Sequence, residues 1–342
     1  MSFIRKHHST ESGEILAELK NLLAPESDRA STGEVRSSMP KRADAEVLSL
    51  SEQIRFLNRT YQELDVALDP NKKCIWCYAA ERPPKFHAEH GSRTECAPSF
   101  HSRSGRPPRV GRRAPGSYYV QASQIPGIYN IGGDLSFLAN RIRDHDREAI
   151  RRYAYGCVHA VYNIAVGFDS GIVSVGLLQG DTLGGGLEGA LCCNFIVAER
   201  GVKIGLPEIL FNLFPGMGAY SMLCRRLDSI RVKRMIFSGR IYSTEEMYDL
   251  GVIDLVVDSG CGEQAVRDYV GDARKFEPRR AIYHARQRAN PLTLSEPRDI
   301  TDMWVETTMK LPEADLRRIG HLRSAQVRRL RRAALVASGD WQ

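Results

Sequence analysis

No stretch of this chain approaches the ~20 consecutive apolar residues that a helix needs to cross a bilayer, so a membrane span is not expected. The opening residues, Met1-Ser2-Phe3-Ile4-Arg5-Lys6-His7-His8, lack the apolar core of a secretory leader, which predicts a cytoplasmic protein. Cysteine is sparse too: eight in 342 residues is not a disulfide framework, and Cys157, Cys192 and Cys193 fall in apolar runs that suit reduced core thiols. Zinc is short of ligands. Cys74-Ile75-Trp76-Cys77 is a CxxC followed by His87, His90 and Cys96, but it has no second CxxC or HxxxH partner, and its cysteines lie in a predicted strand. No metal is expected. The chain also lacks GxGxxG and GxxxxGK[ST] phosphate loops, and any zinc-finger, helix-turn-helix or RNA-binding signature. Neither a nucleotide-loop cofactor nor a nucleic-acid partner is expected.

What is present reads as a globular chain, 42% hydrophobic and 26% charged, with a formal charge of +7. Arg and Lys cluster in residues 82–113 and again in 317–332, which suits an acidic protein partner or the phosphates of a nucleotide-bearing substrate. Residues 1–64 form an N-terminal extension. Within it Ile15, Leu16, Leu19, Leu22 and Leu23 share one helical face, stopped by Pro25, and residues 47–63 repeat the pattern. The 14–24 stretch reads as a helix packing on its own domain or a neighbouring subunit, or as a docking segment. Residues 65–260 carry the strand and turn signals of a core, beginning with a hairpin around Asp69-Pro70-Asn71. Inside it, residues 81–116 are rich in Arg, Pro, Ser and His, with no period, and read as an atypical insertion or loop. Residues 261–342 read as helical.

The chain is organised around Gln179-Gly180-Asp181-Thr182-Leu183-Gly184-Gly185-Gly186-Leu187-Glu188. The β-branched run at 171–178 precedes it and a second apolar run at 195–198 follows, giving strand, glycine turn, short helix, strand. Three glycines bare the backbone, so a carbonyl oxygen can lie against main-chain N–H groups at a helix start, where the dipole favours negative charge. Glu188 follows at once, and Glu208 lies beyond a second strand and turn, Val202-Lys203-Ile204-Gly205-Leu206-Pro207. A carboxylate beside an anion-stabilising turn is an arrangement for making an enolate. An earlier turn, Ile128-Tyr129-Asn130-Ile131-Gly132-Gly133-Asp134-Leu135, repeats the strand-to-glycine pattern, with Asp134 placed to cap the next helix.

These motifs resemble the crotonase (enoyl-CoA hydratase/isomerase) superfamily over residues 118–257 and on into the C-terminal helices. They are Asn130-Ile131-Gly132-Gly133-Asp134-Leu135, Leu183-Gly184-Gly185-Gly186-Leu187-Glu188, and Gly205-Leu206-Pro207-Glu208 with Phe214-Pro215-Gly216-Met217-Gly218. Within it, residues 205–221 are most similar to the diffusible-signal-factor synthase branch. The resemblance implies an α/β fold with a crotonase-like ββα spiral core and a C-terminal helical oligomerisation region, assembled as a trimer or hexamer. It implies dehydration of a 3-hydroxyacyl thioester on acyl carrier protein, followed by thioester hydrolysis to a free cis-2-unsaturated fatty acid used as a quorum-sensing signal. The alternatives are a CoA-dependent enoyl-CoA hydratase or isomerase, and a non-catalytic binding protein that docks a sensor kinase.

By the same resemblance, Glu188 and Glu208 flank carbons 2 and 3 of the acyl chain, and the N–H groups of Ile131 and Gly185 form the oxyanion hole. The order of acid and base stays open. Gly132 and Gly184 lie against the substrate. Met217, Trp304 and Leu322 suit either the lining of an acyl tunnel or ordinary core packing. No cofactor is needed beyond the acyl carrier, acyl carrier protein or CoA. Two departures stand out: the first fifty or so residues look like an addition, and 81–116 lacks the amphipathic helix that usually follows the first strands.

Overall fold

The computed structural model describes residues 64–69, 74–79 and 118–338, so the amphipathic stretches at 14–24 and 47–63, the insertion at 81–116, and His87, His90 and Cys96 lie outside the described residues. The predicted hairpin forms: β1 (Leu64–Asp69) runs antiparallel to β2 (Cys74–Ala79), with Leu64 opposite Ala79. β2 then pairs in parallel with β3 (Tyr118–Ser123), β3 with β5 (Val173–Leu178), β5 with β7 (Phe195–Glu199), and β7 with β10 (Leu255–Val257). The six-stranded order is β1-β2-β3-β5-β7-β10.

Side chains alternate across this sheet, as the two-residue strand repeat requires. Cys74, Trp76, Tyr118 and Val120 face one apolar cluster, which helix α7 (Gly262–Gly271) covers with Val266 and Val270. Ile75, Cys77 and Tyr119 face another, with Leu178, Leu187 and Ile196. The CxxC is therefore split between the two faces of one strand, where its thiols cannot share an ion. Burial pushes the Cys77 thiol up to about 12, so it stays protonated.

The strands near 128 and 204 are read in the sequence, but their pairing into a second sheet is not. β4 (Ile128–Asn130), β6 (Asp181–Leu183), β8 (Ile204–Gly205) and β9 (Ile241–Tyr242) make a four-stranded layer in that order. β4, β6 and β8 run parallel, and β9 closes the edge antiparallel to β8. Strands this short show no period, and 180–183 read as part of a turn. Their pairing is what gathers the site.

Helix α1 (Leu135–Arg143) starts where expected: the Oδ1 of Asp134 accepts the N–H groups of Ser136 and Phe137 at 2.9 and 3.0 Å. α2 (Arg147–Ala165) follows, capped by Asp146. The short helix α3 (Gly185–Leu191) joins β6 to β7, and α4 (Ala219–Leu223), α5 (Ser229–Ser238) and α6 (Thr244–Asp249) lead to β10. Ser243 and Glu246 form a full capping box at the start of α6. Beyond α7 come α8 (Phe276–Ala289), α9 (Ser295–Thr308) and α10 (Glu313–Ser338). Trp304 and Val305 of α9, with Leu316 and Ile319 of α10, close on Leu138 and Ile150 of α1 and α2. Among the described residues, no helix is long and apolar enough to cross a membrane.

Candidate active site

Three parallel strands of the small sheet end side by side, and each passes into a turn that carries one part of the site. Asn130 of β4 is in register with Thr182 of β6, and Leu183 of β6 with Gly205 of β8. The turns that follow are Ile131-Gly132-Gly133, Gly184-Gly185-Gly186 and Leu206-Pro207-Glu208. Ligand crevices of open parallel sheets form outside the carboxyl ends of the strands, and this arrangement is a small instance.

The first two turns touch. The Cα of Gly132 is 3.7 Å from where a Cβ on Gly185 would stand, and a Cβ on Gly186 would lie 2.1 Å from the carbonyl oxygen of Asn130. Only a bare backbone allows that approach. Gly184 has a second constraint: its φ is +56°, and a Cβ there would lie 2.8 Å from Oε1 of Glu208. The N–H of Gly184 donates to the carbonyl of Gly205, while the N–H groups of Leu187 and Glu188 turn back to the carbonyl of Gly184. Gly185 stands at the first position of α3, where helix geometry offers its N–H no acceptor within the helix.

The two glutamates border the same turn in different settings. Glu188, 1% exposed, accepts two backbone N–H groups on Oε1, from Met217 at 2.8 Å and Ala219 at 3.1 Å. Glu208 opens a 3₁₀ turn (Glu208–Phe211) and is half-buried as a residue, yet its Oε2 is sealed from solvent and meets no donor among the described residues. Removal from water raises both carboxyls. Glu188 goes to about 7, with the Ala219 and Met217 N–H groups pulling it back, and Glu208 goes to about 8, raised further by the charge of Glu188. The two amides on its Oε1 make Glu188 the better placed of the pair to hold a negative charge.

Of the predicted binding residues, Gly132, Gly184 and Met217 gather here; the Met217 Cε is 3.3 Å from where a Gly185 Cβ would stand. Trp304 and Leu322 lie behind the site in the cluster that α1, α2, α9 and α10 share. Trp304 reaches the site through Gly216: a Cβ on that glycine would sit 2.1 Å from the indole Cγ. Thr301 Oγ1 donates to the Gly216 carbonyl at 2.7 Å, so α9 holds the loop that binds Glu188.

Sequence reasoning missed four residues at this site. Asn130 accepts the Gly132 N–H on Oδ1 at 2.9 Å, an Asx turn that an Asn two residues before a turn glycine could have announced. Tyr153 brings its hydroxyl to 2.5 Å from the Cβ position of Gly133. Cys157, one helical turn on, is raised by burial and by the charge of Glu188 and is bonded to Tyr153. Gln326 donates from Nε2 to the Ile131 carbonyl at 2.6 Å. Its signal was a polar residue on an apolar stripe, with Leu316, Ile319, Leu330 and Ala333 on the same side of α10.

The arrangement defines a class. Two glycine turns and two glutamates at the ends of parallel strands, in a mixed α/β fold with C-terminal helices, are the crotonase fold. Residues 120–285 match the family model "Enoyl-CoA hydratase/isomerase". Mitochondrial methylglutaconyl-CoA hydratase of Rattus norvegicus is 32% identical over 157 residues, 46% of this chain and 48% of the relative. The peroxisomal bifunctional enzyme of Pongo abelii is 38% identical over 141 residues, 41% of this chain and 18% of the relative. The chain thus spans about half the length of the hydratase relatives it matches, and less of the bifunctional enzyme. Among solved structures, enoyl-CoA hydratase from Bacillus halodurans superposes with a TM-score of 0.59 at 17% identity, covering 75% of this chain and 99% of that one. Human mitochondrial delta3-delta2-enoyl-CoA isomerase gives 0.59 at 14% identity, covering 78% and 99%. At these identities the structures speak for the fold.

Proposed function

We propose that the protein is an acyl-thioester dehydratase and hydrolase that converts a 3-hydroxyacyl-acyl carrier protein to a free cis-2-unsaturated fatty acid signal. The observation that carries the reading is the unlike pair of buried carboxyls beside touching glycine turns, Glu188 tied to two N–H groups and Glu208 with its Oε2 unserved among the described residues. The similarity of residues 205–221 to the signal-synthase branch supports the finer choice of product.

In this reading the thioester oxygen sits between the N–H groups of Ile131 and Gly185, which stabilise the enolate as it forms. Glu188, ionised first, takes the proton from carbon 2. Glu208 gives its proton to the departing 3-hydroxyl, which leaves as water, and the carbon 2–carbon 3 double bond forms. The roles are now exchanged, with Glu188 protonated and Glu208 anionic. Glu208 takes a proton from a water that adds to the thioester carbon, the carbon–sulfur bond breaks, and Glu188 protonates the departing thiolate. Both carboxyls return to their starting states. No cofactor takes part beyond the acyl carrier itself. The protein works in the cytoplasm as a homo-oligomer.

A second reading, a CoA-dependent enoyl-CoA hydratase or isomerase, is favoured by the family match and by the hydratase relatives. A non-catalytic binding protein is disfavoured, since an unpartnered buried carboxyl oxygen costs roughly 1–3 kcal/mol that a purely structural site would shed. The test is to incubate the full chain with 3-hydroxydodecanoyl-acyl carrier protein and, separately, with a trans-2-enoyl-CoA, reading products by mass spectrometry. Free cis-2-dodecenoic acid in the first supports the proposal. Hydration in the second with no free acid in either moves the assignment to the CoA enzyme, and no turnover of either substrate sinks both.

A further inference from the structure

Helix α10 grips two of the three site turns at once. Near its start, Asp315 is 2% exposed and accepts the side-chain amide of Asn212 at 2.8 Å, at the end of the 3₁₀ turn that Glu208 opens. Three turns further on, Gln326 Nε2 reaches the carbonyl of Ile131 at 2.6 Å, across 195 residues of sequence. Beyond both points, Arg329 pairs with Asp181 of β6 at 3.2 Å, and Leu330 and Ala333 pack with Ile128, Ile131 and Leu183.

The Ile131–Gly132 peptide is held at both ends. Gln326 takes its carbonyl, and the Asn130 side chain takes its N–H at 2.9 Å. That peptide shares the Ile131 Cα with the Asn130–Ile131 peptide, whose N–H is the oxyanion donor in the reading above. Fixing one plane limits how the other can rotate. Asn130 alone cannot do this, because an Asx turn swings with its own residue, whereas Gln326 stands on a helix anchored elsewhere.

We propose that Gln326 is a positioning residue, through which the docked C-terminal helix sets the aim of the oxyanion donor at Ile131. The proposal rests on the thioester reading of the site, and the role of Gln326 is to lower the barrier for enolate formation without touching substrate. A donor misplaced by about 1 Å loses around a hundredfold in rate, and one removed outright loses ~10²–10³.

The test compares the full chain with Gln326→Met, which keeps length and helix propensity but cannot donate, and with Gln326→Lys, which keeps a donor. 3-Hydroxydodecanoyl-acyl carrier protein labelled with ¹³C at the thioester carbonyl is the probe, read by the infrared stretch of the bound thioester and by turnover. The wild-type protein should lower the stretch on binding. Gln326→Met should shrink that lowering and reduce kcat about ten- to hundredfold, with KM within about threefold and a melting temperature within a few degrees of wild type. Gln326→Lys should recover most of both. The proposal is overturned if Gln326→Met leaves stretch and kcat unchanged, or if the Met and Lys variants lose both equally, which is the mark of packing alone. Should Gln326→Met not fold, Gln326→Glu, similar in shape and without the amide donor, is read in its place by the same criteria. A wild-type protein that neither shifts the stretch nor turns over the probe overturns the thioester reading and this proposal with it.

Discussion

Glu188 and Glu208 border one glycine turn and carry the same functional group, but the chain treats them differently. The carboxyl of Glu188 lies under a loop whose amides at Met217 and Ala219 point at one oxygen, and that loop is fixed from behind by Thr301 and Trp304. The carboxyl of Glu208 comes from a single 3₁₀ turn and has an oxygen that nothing in the described structure serves. Burial lifts both; the Met217 and Ala219 amides draw Glu188 back, while the charge of Glu188 lifts Glu208 further and a backbone N–H of its own draws it back. Two amides aimed at one oxygen favour the charged form of Glu188, which is how two identical side chains can take unlike tasks.

The sharpest way to break this asymmetry is to remove each carboxyl in turn. Glu188→Gln and Glu208→Gln should each lower kcat by ~10²–10⁴ in a thioester turnover assay. In the intact protein, activity should rise with pH through about 7 as Glu188 ionises and fall through about 8 as Glu208 loses its proton, these being values of the coupled pair. The residual activity of the Glu188 variant should lack the acidic limb, and that of the Glu208 variant the alkaline one. Swapped limbs would reverse the assignment of base and acid.

A smaller effect is expected from Gly184→Ala, which strains a φ of +56° and drives a methyl toward Oε1 of Glu208 while leaving the amides on Glu188 in place. Turnover should fall about tenfold to a hundredfold, with the alkaline limb displaced and the acidic limb kept. Thr301→Val probes the other side. It frees the Gly216 carbonyl at a cost of about 1 kcal/mol in a denaturant melt, and the loosened loop should move the acidic limb upward.

The smallest effect is on stability. Glu208 is raised from its ordinary 4.5 to about 8, so the folded state keeps a proton that the unfolded chain releases. Its contribution is complete below 4.5 and is lost as pH rises through about 8. Glu208→Gln should therefore melt a few degrees higher than wild type above that value, and the gain should vanish on the acid side of 4.5. Equal melting curves at every pH would show that the carboxyl is less isolated than its surroundings imply.

Much of the site could be read in the sequence because its parts are local. Gly184-Gly185-Gly186 with Glu188, and Leu206-Pro207 with Glu208, are runs in which backbone freedom and chemistry sit within a few residues of each other. The helix cap at Asp134 was legible for the same reason. The pairing of the small sheet was not, since β6 and β9 hold three and two residues and exist only through their neighbours. Gln326 and Thr301 were missed because what they bind, the carbonyls of Ile131 and Gly216, lies far away in sequence. Cys74 and Cys77 form a local CxxC pattern that the strand's own geometry divides between two faces, in keeping with the strand read there.

The unserved oxygen of Glu208 has a thermodynamic consequence for whatever enters the cleft. A visiting molecule whose third carbon bears a hydroxyl brings its own donor to that atom, and so relieves a debt the empty fold carries. Two acyl chains alike in length and apolar area would then raise the melting point unequally, the hydroxylated one more. Heat alone, with no turnover, would sort the guests by whether they have something to lose.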